Sequence, residues 1–503
     1  MKKRFLLALT SLFLLPACGE SKPIDQEGAN VFPSSAIEDS MAITMGDVMP
    51  FYDNGTMNIY HLRNVTGSNS LFYHPIARLT TKDYIHYEDK GIALNYVEKI
   101  ESVDAALGTG SFIKAPDGTY HCFYTGHNDK ATDEDLKDAG MPHKEVIRHA
   151  TSVDGQESWQ KEEDFLLYGY EDDFRDPYVY FDKTDNRYYM LITSRDFGNA
   201  VIRRYGASSL SAKWNEWTFV DNFFTNDAGN YNMECPSYVE WNGYYYLAYS
   251  EQGDNRVTHY RYRTSHDGEW KKFERDALDS AGFYAGRLEK AEDKLYAFAW
   301  CARLTGGSTG SFDWAGNLVT HELVQKEDGE LATVMPKSYK DYFNHPVSYV
   351  TSAGNEQASY VFEKEKFAAT ALSKLSDNVT RLSFSFTAKE KGGNFGLTYG
   401  LDRQYDKRLG DGMIAFDLDK GEIACYNNVS NILRYGNALT TLSYPFALNT
   451  AYHVDLIMDD EVVSVYLNGE VAMTARLVNM EGNYFGFYGN KANVEIKEVA
   501  FYE

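Results

Sequence analysis

Alternation of apolar and polar positions runs through most of the chain, with the period of strands rather than helices. Its unit is a hairpin. Tyr238 to Trp241 meets the turn Asn242-Gly243, and an aromatic run begins at Tyr244. Asn-Gly between two such runs predicts a tight β-hairpin. Four other stretches share the layout: DVMPFYDNGTMNIYHL from Asp47, GSFIKAPDGTYHCFYTG from Gly110, DPYVYFDKTDNRYYMLITS from Asp176 and GFYAGRLEKAEDKLYAFAW from Gly282. With ECPSYVEWNGYYYLAYS from Glu234 they make five units, starting 48 to 66 residues apart. Further strand-like pieces lie between them, such as Val146 to Ser152 and Val257 to Thr264.

A repeat of this size, holding about four strands, predicts the blades of a β-propeller. Five blades fit Ala42 to about Val334. The first strand of each blade lines the central channel, so corresponding strand ends face one another. Asp47, Asp176 and Glu234 are therefore expected together at the rim of one funnel. From Tyr339 the texture changes to a second series of alternating strands, among them LSFSFTA, MIAFDLD, YHVDLIMD and VVSVYLNG. These predict a β-sandwich. The expected fold is all-β, with a five-bladed propeller over residues 38–336 and a sandwich over 337–503.

Composition agrees with this picture. Aromatic residues make up 15% of the 503, a bias suited to strands and turns. A formal net charge of −24 argues against a nucleic-acid partner. The N-terminus, MKKRFLLALTSLFLLPAC, has a basic start and a short apolar core, as an export signal does. Its Leu15-Pro16-Ala17-Cys18 ending resembles a bacterial lipoprotein box. Residues 1–18 are expected to be a signal, with Cys18 lipidated and residues 19–37 serving as a tether. The expected location is periplasmic or at the cell surface, with membrane contact through the lipid only. Cys122, Cys235, Cys301 and Cys425 lie far apart without metal-ligand spacing, and are expected to be buried free thiols.

Three carboxylates converging on a pocket suit glycoside hydrolysis. One attacks or activates water while a protonated acid feeds the leaving oxygen. Glu234, facing two aspartates, is the expected acid. Arg175 is expected to keep the adjacent Asp176 ionised. Asp47 is left as nucleophile. The bland alternative is that an Asp before a Pro only shapes a turn. Equivalent placement in three repeats favours chemistry.

At these residues the sequence resembles glycoside hydrolase family 32, the invertases, levanases and inulinases. Arg175-Asp176-Pro177 is similar to the family's Arg-Asp-Pro motif, and Glu234-Cys235 to its Glu-Cys motif. Gly108 to Phe112, Tyr124 to His127, Phe283-Tyr284-Ala285 and Trp314-Ala315-Gly316 resemble other family segments. The resemblance implies a five-bladed propeller followed by a sandwich and a retaining attack on β-linked fructosyl units. It implies no metal or organic cofactor. Arg175, Ser111, Phe112, Phe72, Tyr284 and Trp314 are expected at the substrate. One motif departs from the pattern. Where the family has Trp-Met-Asn-Asp-Pro-Asn-Gly, this chain has Thr44-Met45-Gly46-Asp47-Val48-Met49-Pro50, lacking the wall Trp and the Asn beside the nucleophile. Two alternatives stay open: an inverting arabinosidase or xylosidase of the family 43 type, and an inactive carbohydrate-binding lipoprotein.

Overall fold

The computed structural model describes residues 28–34, 43–65, 74–128, 131–138, 140–141, 143–170, 173–253, 256–304, 312–349, 359–364, 367–374, 379–401, 412–427, 437–477 and 484–503. The expected signal over residues 1–18, with Cys18, and the expected substrate residue Phe72 lie outside these residues.

Strands dominate, arranged first as five antiparallel meanders. The first holds β1 (Ile43–Asp53), β2 (Thr56–Val65), β3 (Ile76–Thr81) and β4 (Tyr87–Leu94). The second holds β5 (Ala106–Lys114), β6 (Tyr120–His127), β7 (Glu145–Ser152) and β8 (Gln160–Lys161). The third holds β9 (Phe174–Asp182), β10 (Arg187–Asp196), β11 (Asn199–Ala207) and β12 (Thr218–Thr225). The fourth holds β13 (Asn232–Trp241), β14 (Tyr244–Gln252) and β15 (Thr258–Arg263). The fifth holds β16 (Tyr284–Ala291), β17 (Lys294–Leu304), β18 (Phe312–Gln325) and β19 (Leu331–Val334). The first strands touch in cyclic order, β1 to β5, β9, β13, β16 and back to β1. That closed ring is a propeller around a central channel. One pair, Met45 with Gly316, stitches the fifth sheet to the first.

Every first strand carries the same irregularity. Asp47-Val48, Gly108-Thr109, Asp176-Pro177, Cys235-Pro236 and Ala285-Gly286 each set two residues against one on the neighbouring strand. These are β-bulges, which re-aim side chains and leave a residue unpaired. Pro177 and Pro236, with no N–H to offer a ladder, fit the unpaired position. Asp47, Asp176, Cys235 and Ala285 have φ of 29°, 59°, 54° and 56°. Non-glycine residues in that region are strained, and such strain gathers at functional sites. The bulges also correct the expected equivalence of the units. The matching positions are 47, 108, 176, 235 and 285. Glu234 stands one residue earlier, level with Arg175 and Tyr284.

A helix, Lys337–Tyr342, follows the fifth meander, and two further sheets come after it. One has seven strands, centred on Thr380–Ala388 and Ala451–Asp459; the other has six, centred on Asn394–Leu401 and Gly412–Asp417. Phe384 and Phe386 of the first sheet pack on Phe487, Phe395 and Phe416 of the second. This shared aromatic core makes the pair a sandwich.

The sandwich is joined to the propeller by buried polar groups. Asp279 accepts hydrogen bonds from the Thr474 amide and hydroxyl at 2.8 and 2.6 Å and from the Ser280 amide at 2.5 Å, and His321 Nε2 lies 2.8 Å from it. Arg476 donates to the carbonyls of Cys301 and Ala302. Gly282 allows this approach, because a Cβ there would lie 1.9 Å from the Thr474 carbonyl oxygen. Residues 28–34 belong to the fold rather than to the tether expected over 19–37. Val31 and Phe32 are buried, and the Val31 amide donates to Asp459. Cys122, Cys235, Cys301 and Cys425 are buried and free.

Candidate active site

At one end of the channel the bulges open onto a cavity of about 380 Å³. Asp47, Asp176, Glu234, Arg175 and Trp314 all line it, together with His74, Thr109, His127, Glu145, Asp173, Tyr231 and Gln252. Three carboxylates remote in sequence thus share one hollow.

Asp47 is held on both oxygens. Thr109 Oγ1 donates to Oδ2 at 2.6 Å, and Trp300 Nε1 donates to Oδ1 at 3.1 Å. Its carboxyl is pushed up to about 6 by burial, with the charges of Asp176 and Glu234 adding and the two donors opposing. Asp176 is buried. Its Oδ2 accepts from the Cys235 amide at 3.0 Å, and its own amide donates to Thr125 Oγ1 at 3.0 Å. Two bulges therefore brace their predecessors: Thr109 of the second holds the acid of the first, and Cys235, at the strained position of the fourth, fixes the acid of the third.

Glu234 lies between two donors. Arg175 Nη2 donates to Oε1 at 2.8 Å, and the Tyr284 hydroxyl donates to Oε2. The sequence pattern pairs Arg175 with the adjacent Asp176. Its Nε is 3.9 Å from Asp176, however, while Nη1 meets Glu145 at 3.1 Å and Asp173 at 2.6 Å. The one-residue offset of Glu234 explains this, since it puts the carboxylate level with Arg175 across neighbouring strands. Glu145 is pushed up to about 7, mainly by burial, with Arg175 opposing.

Not every expected residue reaches the cavity. Tyr284 stands behind Glu234, edge-on to Trp300 with centroids 5.3 Å apart. Ser111 and Phe112 lie past the bulge of β5. Ser111 Oγ accepts from the Val179 amide, and Phe112 stacks on Tyr60 at 3.5 Å. Neither lines the cavity. Thr109, Trp300, Glu145 and Asp173 escaped the sequence reading, although Thr109 sits inside a noted stretch. Thr109 reaches the site from the bulge of β5, while Trp300, Glu145 and Asp173 come from outside the first strands. Among the described residues one cluster has metal-ligand chemistry, Asp182, Asp185 and His266. It lies at the far end of β9, and its groups bond one another, with His266 Nε2 2.8 Å from Asp182.

The missing motif residues have a local explanation. Thr44 and Gly46 occupy the positions of the family's Trp and Asn. At Gly46 a Cβ would lie 2.2 Å from the Trp314 ring. Trp314 reaches over this backbone, stacks on His74 at 4.3 Å and walls the cavity. An aromatic wall is present, supplied by β18 instead of β1.

Comparison with known proteins decides the family. The family model described as "Glycosyl hydrolases family 32 N-terminal domain" matches residues 49–332. This chain belongs to glycoside hydrolase family 32. It is a glycoside hydrolase, and the family 43 alternative falls with that assignment. Asp47 lies two residues before the matched segment. The chain is 22% identical over 330 residues to the levanbiose-producing levanase of Geobacillus stearothermophilus, covering 57% of this chain and 74% of that one. It is equally identical to the Bacillus subtilis (strain 168) levanbiose-producing levanase, of which it spans 57%. The fold is shared with an exo-inulinase from Aspergillus awamori, at a TM-score of 0.68, 14% identity and coverage of 91% and 95%. It is shared also with the Bombyx mori GH32 β-fructofuranosidase, at 0.67, 16% and 95% of each chain.

Proposed function

We propose that this family 32 hydrolase releases fructosyl units from β-fructans or sucrose-like sugars with retention of configuration. The observation that carries the reading is the convergence of Asp47, Asp176 and Glu234 on one cavity. Asp47 attacks the anomeric carbon as the bond to the leaving oxygen breaks, and Glu234 gives that oxygen its proton. Arg175 and Tyr284 receive the carboxylate left on Glu234. Glu234 then takes a proton from water, which attacks the same carbon and frees Asp47. Asp176, fixed by Cys235, holds ring hydroxyls. Relatives described as levanases, an exo-inulinase and a β-fructofuranosidase favour fructosyl substrates.

Release of fructose from sucrose, inulin and levan tests this, with Asp47→Asn and Glu234→Gln measured beside the wild type. Glu234→Gln should lose most on poor leaving groups, and Asp47→Asn should form no covalent fructosyl adduct. Wild-type turnover by Asp47→Asn would overturn the nucleophile assignment. The proposal includes export as a lipoprotein modified at Cys18, on the strength of the signal pattern. Cys18→Ser should then shift the protein from the membrane to the soluble fraction.

A further inference from the structure

Two aromatic side chains hold the two working carboxylates from behind. Tyr284 donates to Glu234, and Trp300 donates to Asp47. The rings meet edge-on and are both buried. A single cation covers them. Arg256, in the connection between β14 and β15, places its guanidinium carbon 4.7 Å from the Tyr284 ring centre and 5.3 Å from that of Trp300. Its backbone is in the left-handed region, with φ of 48°. That costs conformational energy for a non-glycine residue. Among the described residues Arg256 forms no ion pair. Arg175, by contrast, is surrounded by Glu145, Asp173, Asp176 and Glu234.

A cation on a ring face is attracted by the π-electrons. It also draws density from the ring, making the attached O–H or N–H a stronger donor. A stronger donor favours the ionised form of the carboxylate that accepts from it. We propose that Arg256 is a positioning residue of this hydrolase, clamping Tyr284 and Trp300 and strengthening the hydrogen bonds they give to Glu234 and Asp47. The proposal rests on the roles assigned to those two acids above.

Other groups act on the same pair and remain unchanged when Arg256 is altered. Asp47 faces Asp176, Glu234, Thr109 and the Cys235 thiol. Glu234 faces Arg175, beyond which lie Glu145, Asp173 and Gln252. Arg287 acts on Cys235 and donates to the Gly110 carbonyl.

The test compares Arg256→Met, which keeps much of the stem and loses the charge, with Arg256→Lys. The substrate is whichever of sucrose, inulin or levan the wild type cleaves. In Arg256→Met the acid limb of the kcat/KM profile should move up by about half a pH unit. Its kcat should fall about tenfold with KM changed less than about twofold, the pattern of lost positioning. Arg256→Lys should recover most of both effects. A wild-type pH profile in Arg256→Met, or a rise in KM alone, would overturn the proposal. Asp47→Asn in the same series separates the two levels. If it is inactive while Arg256→Met is unshifted, only the positioning role fails; if it retains activity, the nucleophile assignment fails and the positioning role with it.

Discussion

Trp300 Nε1 donates to Asp47 Oδ1 across 3.1 Å, linking the second strand of the fifth meander to the first bulge of the chain. With Thr109 on the other oxygen, it opposes the burial that raises the Asp47 carboxyl to about 6. As the proposed nucleophile, Asp47 must be ionised, so kcat/KM should fall as pH drops through about 6. Thr109→Val and Trp300→Phe each remove a donor that favours the charge. Each should move that limb upward by about one pH unit. A pH–rate series on the three proteins checks this.

The same carboxylate should weaken the fold. Its folded value, about 6, exceeds its ordinary 3.8. The native state therefore binds the proton more tightly, and stability falls as pH rises from about 4 to about 6. Asp47→Asn carries no charge and escapes this loss. It should be more stable than wild type at pH 7, by up to about 3 kcal/mol, with the gain vanishing below pH 4. Denaturant melts at the two pH values measure it.

Gly46 and Trp314 should behave as a pair. Gly46→Asn restores the family's residue but drives a side chain into the indole, since a Cβ there lies 2.2 Å away. The single variant should lose most of its activity. Trp314→Ala should raise KM by removing part of the cavity wall. The double variant should recover activity relative to Gly46→Asn alone, a coupling that a double-mutant cycle reads directly.

Asp279 joins the propeller to the sandwich through His321 and Thr474, all buried. Asp279→Ala strands both partners and should cost about 3–5 kcal/mol of stability at neutral pH. Burial opposes the charge of Asp279, but His321, Thr474 and the Ser280 amide outweigh it and lower the carboxyl from 3.8. The charge therefore stabilises the fold above pH 4, and that contribution fades as pH falls through the lowered value. Thermal unfolding of wild type and variant, at pH 7 and at lower pH, gives the difference.

Much of this molecule is legible in its sequence because hairpins are local. The Asn242-Gly243 turn and the aromatic runs around it announce their strands without tertiary help. Asp47, Asp176 and Glu234 could be gathered from the repeat alone. The bulges could not, because an extra residue leaves the alternation on either side looking continuous. Glu234 was therefore set level with the two aspartates, when Cys235 holds that place. The sequence pairs Arg175 with its chain neighbour Asp176, when Asp173 and, 59 residues away, Glu234 are both closer. Ser111 and Phe112 follow a bulge too, and their side chains turn to Val179 and Tyr60 instead of the cavity.

The five bulges separate two tasks, carrying reactive groups and holding the sheets together. Strand pairing resumes on both sides of each insertion, so the inserted residue is not asked to hold the sheet together. Two of these slots carry acids and one a thiol, while Gly108 and Ala285 fill the remaining two without a reactive group. Around the mouth of the channel the scaffold thus offers a ring of exchangeable seats. Natural variation can rewrite the chemistry there one seat at a time, while the architecture that carries it stays the same.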